Sequence, residues 1–229
     1  MIDAFNVPFS LKGIPIGKFV GREEQLQQIE QKLRPTSTEK RGRKVFVVHG
    51  LGGMGKTQIA AKYARDHQDD YSAIFWVDGS SQTLLQQSFL DVAKRIPTKQ
   101  LQADTAEILN SVQNDAEVVM KDALRWMSLP GNWNWLLIID NVDREFRGQG
   151  RDDQGFDPRE AMPDSDHGSI LITSRLSTLQ GIGERLQLGR VSDDEAKEIL
   201  EHQAGQPLQG ELTSRVIRVK RIGPLTQTP

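Results

Sequence analysis

The stretch Gly-Leu-Gly-Gly-Met-Gly-Lys-Thr at residues 50–57 constrains the fold of this chain more than any other feature. It follows an apolar run, Val45 to Val48, and precedes a segment whose apolar residues recur at helical spacing. A glycine-rich loop between a buried strand and a helix is the phosphate-binding P-loop pattern. Its glycines let successive N–H groups point at phosphate oxygens, and the helix N-terminus adds a positive dipole end. The sequence therefore predicts a nucleoside-phosphate site in an α/β fold.

Two side chains of this loop carry most of the predicted chemistry. The Lys56 ammonium group suits the β- and γ-phosphates, and the Thr57 hydroxyl suits Mg²⁺. A glycine-rich loop with an exposed lysine is the alternative interpretation, and the strand and helix on either side favour the phosphate site. The residues of this stretch predicted to bind nucleotide are Gly50, Gly52, Gly53, Met54, Gly55, Lys56, Thr57 and Gln58.

Strand and helix patterns alternate along the rest of the chain. This alternation predicts a P-loop NTPase fold, a doubly wound parallel five-stranded sheet in three αβα layers with a partial C-terminal helical segment. The predicted strands lie at 45–48, 73–77, 135–140, 170–173 and 185–188. One predicted helix follows the P-loop, a second lies at 81–96, and the segment 105–127 contains one or two more. A further helix is predicted to begin at Ser192, which forms a capping box with Glu195.

Three segments organise the chain in this interpretation. Residues 1–34 are predicted to be an extended lead-in and a helix that pack on the core. Residues 35–190 form the nucleotide-binding domain, in which 143–168, rich in Asp, Gly, Arg and Pro, is predicted to be a mobile surface loop with little regular structure. Residues 191–229 form the partial helical segment.

An acidic residue ends the third predicted strand. A P-loop needs a carboxylate for the magnesium shell, and we expect it at the end of a buried strand beside the P-loop strand. Asp140 fits this position, although aspartates also cap turns after strands. The next residue, Asn141, cannot accept a proton as the usual second acid does, and Asp143 is the nearest substitute. We therefore expect hydrolysis to be slow or absent.

Arg175 ends the fourth predicted strand. A guanidinium group at the end of this strand, near the phosphates, can pair with a γ-phosphate and so detect ATP rather than ADP. The alternative interpretation is a surface arginine without a role in binding. Lys56, Asp140 and Arg175 form the predicted catalytic set, and Thr57 and Asp140 the metal set. No Asn-Lys-x-Asp guanine-reading motif occurs, which favours adenine, and the expected cofactors are ADP or ATP with Mg²⁺.

Composition excludes several classes of site and partner. The chain has no cysteine, which excludes disulfides and zinc–thiolate sites, and its net charge of −2 argues against a nucleic-acid or membrane surface. Only the basic stretch 40–44 hints at nucleic acid, and a solvated loop is the favoured interpretation. No apolar run approaches about 18 residues and the N-terminus lacks a signal-peptide pattern, so we expect a cytoplasmic protein without a membrane segment.

Four motifs, in this order, resemble the NB-ARC domain of STAND-class signalling ATPases, and most of all fungal NOD-like receptors. They are Phe19-Val-Gly-Arg-Glu23, the P-loop, Leu136-Leu-Ile-Ile-Asp-Asn141 and Ile170-Leu-Ile-Thr-Ser-Arg175. The resemblance spans about residues 19–204. It implies signal transduction, as in innate immunity, with an ADP-bound resting state and an ATP-bound state that self-associates through the full-length protein.

The resemblance also implies further site residues. Val20, Gly21 and Arg22 would lie near the adenine and ribose. The family's Gly-Leu-Pro-Leu motif has an altered counterpart in Ile222-Gly-Pro-Leu225, so Pro224 is assigned to the base by resemblance only. The family's winged-helix segment, histidine latch, repeats and effector domain do not occur in this sequence, which is therefore expected to be a nucleotide-binding core with a stub of the next segment.

The favoured interpretation is a nucleotide-binding regulatory switch. A steady P-loop ATPase or phosphotransferase is the first alternative, which multiple-turnover phosphate release would support. A nucleotide-dependent DNA-binding regulator is the second, and it would need a basic recognition face.

Overall fold

The computed structural model describes residues 7, 10, 19–35, 42–111, 115–146, 155–179 and 181–204. Residues 202–204 are described by their backbone only. A five-stranded parallel sheet forms its centre, in the spatial order β2-β3-β4-β1-β5. The strands are β1 Lys44–His49, β2 Ala73–Asp78, β3 Trp135–Asp140, β4 Ser169–Ser174 and β5 Glu184–Gln187. The sheet confirms the predicted α/β P-loop fold.

Six α-helices connect the strands or flank the sheet within the described ranges. They are α1 Glu23–Leu33, α2 Lys56–Asp66, α3 Gln82–Arg95, α4 Ala103–Asn110, α5 Ala116–Met127 and α6 Asp193–Ala204. The segment predicted at 105–127 therefore contains two helices rather than one. No helix in the part of the chain that the structure describes has the length and apolar character needed to cross a membrane.

The core has two halves, one on each face of the sheet. Alternate residues of β3 separate between them, because side chains of a strand point to opposite faces. Leu137 packs with α3 and α5 residues, whereas Leu136 packs with residues of α1 and α2. Trp126 and Trp135, each 1% exposed, fill the first half. Helices on both faces make the three-layer architecture.

The segment 155–168 differs from its prediction. It was expected to be part of a mobile surface loop, and this is wrong, because Phe156, Ala161 and Met162 are buried against the core. A short 3₁₀-helix, Pro158–Ala161, presents them. The prediction was based on the mainly polar composition of the segment. Its three apolar residues are nevertheless buried, and they hold the segment against the core. Residues 147–154 lie outside the described part of the chain.

The strand order contains a second correction. Asp140 was expected on a strand beside the P-loop strand, but β4 lies between β3 and β1. The carboxyl ends of these strands are nevertheless level, since His49 pairs with Ser174 and Ile139 with Ile172. Parallel strands place ligand sites at this edge of the sheet. The predicted site residues therefore meet at the edge although their strands are not all neighbours.

Candidate nucleotide-binding site

The P-loop connects the end of β1 to the start of α2. Gly53 and Gly55 adopt positive φ angles of 75° and 86°, a conformation that side-chain-bearing residues rarely adopt. A Cβ atom at either position would meet nothing within 4 Å, so the backbone conformation, rather than lack of space, requires glycine. Gly55 is the N-cap of α2, and no side chain caps the helix there. The first N–H groups of α2 thus suit an anion.

Lys56 is folded back onto its own loop. Its Nζ donates hydrogen bonds to the carbonyl oxygens of Gly50 at 2.9 Å and Leu51 at 3.0 Å, and the residue is only 8% exposed. Burial lowers the pKa of Lys56, and the nearby Arg175 lowers it further, while Asp143 and Asp140 oppose the shift. The ammonium group is therefore held at the loop by main-chain acceptors, where a phosphate could replace them.

The predicted metal-binding residues lie in direct contact. The Thr57 hydroxyl donates to both carboxylate oxygens of Asp140, at 3.0 and 3.1 Å, and the Thr173 hydroxyl donates to the same carboxylate. Burial is the largest cause that raises the pKa of Asp140, and Asp78 and Asp143 add to it, while the two threonine hydrogen bonds lower it. A buried carboxylate beside a hydroxyl is the oxygen pair that magnesium uses at a P-loop.

These two residues fit a shared magnesium ion rather than a complete protein cage. Among the residues that the structure describes, no group of three or more His, Asp or Glu side chains could hold a metal ion. Magnesium at such sites keeps several waters and takes its other ligands from substrate phosphates. Thr57 and Asp140 would therefore hold Mg²⁺ only together with a nucleotide.

The position of α2 explains how Asp140 reaches Thr57 from the second strand beyond β1. The helix packs against β4, the strand that separates β1 from β3. Thr173 of β4 connects this strand to the end of β3, because its hydroxyl donates to Asp140 and accepts a hydrogen bond from the Asn141 N–H at 3.0 Å.

The two positions considered for a second acid are both engaged. Asn141 has a positive φ of 65°, and its side-chain amide donates to the Asp140 carboxylate at 3.3 Å. Asp143 accepts the backbone N–H of Arg175 at 2.6 Å and pairs with its Nε at 2.9 Å. The Arg175 guanidinium carbon would lie 3.5 Å from a Cβ atom at Gly52, which places this guanidinium against the P-loop.

The Val20–Arg22 segment lies on the other side of the P-loop. Arg22 is 7% exposed and donates from Nη2 to the Gly189 carbonyl at 2.6 Å. The neighbouring Leu188 donates its N–H to the His49 carbonyl at 2.7 Å, directly before the P-loop. The segment predicted to contact adenine is thus connected to the P-loop strand through two hydrogen bonds.

Glu195 belongs to this region, and the sequence interpretation did not place it there. Its Oε1 accepts the Arg22 N–H at 3.1 Å, and its Oε2 accepts the Ser192 N–H at 2.7 Å. The Ser192 backbone hydrogen bond is the largest cause that lowers the pKa of Glu195. The predicted capping box is confirmed. Nothing in the sequence predicts that Glu195 pairs with Arg22, because the two residues are 173 positions apart.

Replacing Glu195 with alanine is expected to lower the free energy of unfolding by about 1 kcal/mol, because α6 loses its capping box and Arg22 an acceptor. Glu198→Ala is the matched control, since Glu198 is an exposed glutamate on the same helix. It should change stability by less than about 0.5 kcal/mol. Urea denaturation measures both, and equal effects would contradict a specific role for Glu195.

Other predicted residues have simpler surroundings. Met54 is partly buried against the α1–α2 half of the core, and Gln58 lies in the first turn of α2. Pro224 lies outside the described residues. In the basic stretch, Arg43 and Lys44 donate to the carbonyls of Pro163 and Arg34, and Lys44 begins β1, whereas residues 40 and 41 lie outside the described part of the chain.

Comparison with known families agrees with this geometry. Residues 18–155 match the family described as AAA ATPase domain. The chain belongs to the AAA ATPase domain family. A nucleotide-binding leucine-rich repeat (NLR)-like protein of Hyaloscypha variabilis is 31% identical over 183 residues, which is 75% of this chain and 16% of that protein. This AAA ATPase domain therefore spans only a small part of its much longer relative.

Solved structures show the same fold. A STAND protein with a tetratricopeptide repeat sensor from Pyrococcus horikoshii aligns with a TM-score of 0.55 at 17% identity, covering 93% of this chain and 30% of that one. The Aeropyrum pernix ORC2 protein, in ADPNP and ADP complexes, aligns with a TM-score of 0.51 at 14% identity, covering 86% of this chain and 55% of that one. The predicted resemblance to STAND-class, NLR-like P-loop ATPases is confirmed.

Proposed function

We propose that this AAA ATPase domain is a switch that binds ADP or Mg-ATP and changes state with the nucleotide. The observation that carries the proposal is the contact between Thr57 and Asp140 at the start of α2, where no side chain caps the helix. A metal-binding pair beside a free helix N-terminus is what a magnesium–nucleotide complex requires.

The chain offers a partner for each part of the nucleotide. The P-loop N–H groups and Lys56 would hold the phosphates, and Thr57 with Asp140 would hold Mg²⁺. Bound magnesium would neutralise phosphate charge. Val20, Gly21 and Arg22 would lie near the base and ribose, since this segment is connected to the P-loop strand through Leu188 and Gly189.

Slow or absent hydrolysis distinguishes a switch from a steady ATPase. Asn141 occupies the position after Asp140 and donates to it, so it cannot serve as a base. Asp143 is engaged with Arg175. The NLR-like relative supports a signalling role within a longer protein. The ADP-bound resting state and the self-association in the ATP state are the parts of this proposal that the resemblance to NB-ARC domains implies.

Identification of the nucleotide that copurifies with the protein tests the proposal. The protein is denatured, the released nucleotide is identified by chromatography, and the nucleotide-free protein is titrated calorimetrically with ADP and with ATP with or without Mg²⁺. We expect either near-stoichiometric ADP on release or saturable ADP binding, and ATP binding that Mg²⁺ strengthens. Absence of released nucleotide together with no saturable binding of either nucleotide would overturn the proposal.

A further inference from the structure

We propose that Asp143 is the residue that positions Arg175 for a γ-phosphate and thereby sets the preference of the site for ATP over ADP. This inference rests on the proposed function, because it assumes that nucleotide phosphates bind at the P-loop. It assigns a role to a residue that sequence reasoning considered only as a substitute acid.

Asp143 holds Arg175 at two points. One carboxylate oxygen accepts the Arg175 backbone N–H at 2.6 Å, and the other pairs with the side-chain Nε at 2.9 Å. The Asp143 side chain is 22% exposed, whereas that of Arg175 is 65% exposed. The backbone contact anchors the carboxylate whatever the arginine side chain does. Asp143 is therefore an anchor for the more exposed partner.

The ion pair leaves the Nη groups of Arg175 to a phosphate. Asp143 engages Nε, and the N–H donors on the two Nη atoms lie on the other edges of the planar guanidinium group. The guanidinium carbon would be 3.5 Å, and Nε and Nη1 each 3.7 Å, from a Cβ atom at Gly52, so the group lies against the P-loop. Asp143 therefore holds the guanidinium group at the P-loop through Nε, and the N–H donors of the two Nη atoms can bind a phosphate there.

The charges nearby show that this pair belongs to the site. Asp143 and Arg175 both act on the pKa of Lys56, in opposite directions, and Asp143 also raises the pKa of Asp140. An exposed arginine without an anchor would lose side-chain freedom when it bound phosphate. Because Asp143 orders Arg175 before the ligand arrives, a γ-phosphate gains a prepared donor, while ADP, which does not reach it, gains nothing.

The test measures dissociation constants of ADP and Mg-ATP for the parent protein, Asp143→Asn, Arg175→Ala and the double variant. Asparagine keeps an oxygen for the Arg175 backbone N–H but loses the charge that holds Nε. We expect Asp143→Asn to weaken Mg-ATP binding by about three- to tenfold. ADP binding should stay within about twofold, and in the Arg175→Ala background the same substitution should no longer weaken ATP binding.

Asp157→Asn is the matched control. Asp157 also accepts the backbone N–H of a neighbouring arginine, Arg159, at 2.9 Å, and pairs with its side chain at 3.3 Å. Neither residue is among the main causes of the pKa shifts of Lys56 and Asp140. The ratio of ADP to ATP affinity should be the same in this variant as in the parent. If Asp157→Asn changed this ratio as much as Asp143→Asn does, the effect would be nonspecific and the inference would be overturned.

The remaining outcomes separate this inference from the proposed function. An unchanged or raised preference for ATP in Asp143→Asn, with lowered preference in Arg175→Ala, would overturn the role of Asp143 and leave the switch intact. An unchanged ratio in Arg175→Ala would overturn the γ-phosphate contact itself. Failure of the parent to bind either nucleotide would instead overturn the proposed function, and the inference with it.

Discussion

Replacing Lys56 with alanine is expected to weaken the binding of both ADP and ATP by roughly a hundredfold, or about 3 kcal/mol. Lys56 is 8% exposed at the P-loop, where its ammonium group is held by the carbonyl oxygens of Gly50 and Leu51. Phosphate oxygens would replace these neutral acceptors with charged ones. Charge-assisted hydrogen bonds are about twice as strong as neutral ones, so this single group should dominate phosphate affinity.

Lys62→Ala is the matched control for this experiment. Lys62 lies on the same helix and pairs with Asp66 at 2.7 Å. Its removal should change nucleotide affinity by less than about twofold and stability by less than about 0.5 kcal/mol. Calorimetric titration with ADP and Mg-ATP gives the affinities, and thermal melts confirm that each variant is folded. Equal binding by Lys56→Ala and the parent would contradict a phosphate site at the P-loop.

Replacing Asp140 with asparagine is expected to have opposite effects on stability and on binding. Asp140 is 4% exposed, and burial is the main cause that raises its pKa in the folded protein. An asparagine keeps an oxygen that accepts from Thr57 and Thr173 but carries no charge. The nucleotide-free variant should therefore be more stable at neutral pH by about 1 kcal/mol, a shift of roughly 2–4 °C in Tm. Mg-ATP binding should weaken by about tenfold or more, because the metal loses a carboxylate.

The pH dependence of this stability difference follows from the direction of the shift. Folding raises the pKa of this carboxyl group because burial disfavours its ionised form. Below the unfolded pKa the group is protonated in both states and does not lower the stability of the folded protein. As pH rises through the folded pKa, the group ionises and the folded protein loses stability. The gain in Tm for Asp140→Asn over the parent should therefore be largest near neutral pH and shrink as pH falls toward the usual carboxyl range.

Thermal melts of the nucleotide-free proteins across that pH range measure the difference. Asp91→Asn is the control, since the Asp91 side chain is 82% exposed on α3 and should show little change at any pH. A variant that is less stable than the parent at every pH, yet binds Mg-ATP equally well, would contradict both the burial argument and the metal role of Asp140.

Much of the fold could be predicted because its signals are local. The third strand was predicted at its observed bounds, 135–140, since a run of apolar residues in a parallel sheet is buried on both faces. The capping box of Ser192 and Glu195 was predicted because both of its hydrogen bonds connect residues three apart. The P-loop conformation followed from the glycines at 53 and 55.

The site was less predictable, because its contacts join distant parts of the chain. The alternation of strands and helices indicates a parallel sheet but not the order of its strands, and β4 was not expected between β1 and β3. The pairing of Asp143 with Arg175 spans 32 residues, and that of Glu195 with Arg22 spans 173. Local sequence patterns do not predict contacts between residues so far apart in the chain.

The sequence by itself determined the chemistry at the sheet edge, a glycine-rich loop with Lys56, Thr57, Asp140 and Arg175 as its charged or oxygen-bearing side chains. Residue type and spacing along one strand, turn or helix are enough for that, because their hydrogen bonds are short in range. Only the tertiary structure decided which groups face each other: that Thr57 and Thr173 of β4 both donate to Asp140, and that Asp143 pairs with Arg175. Those contacts depend on how helices pack across the sheet, which is set by burial of the whole core rather than by any one segment.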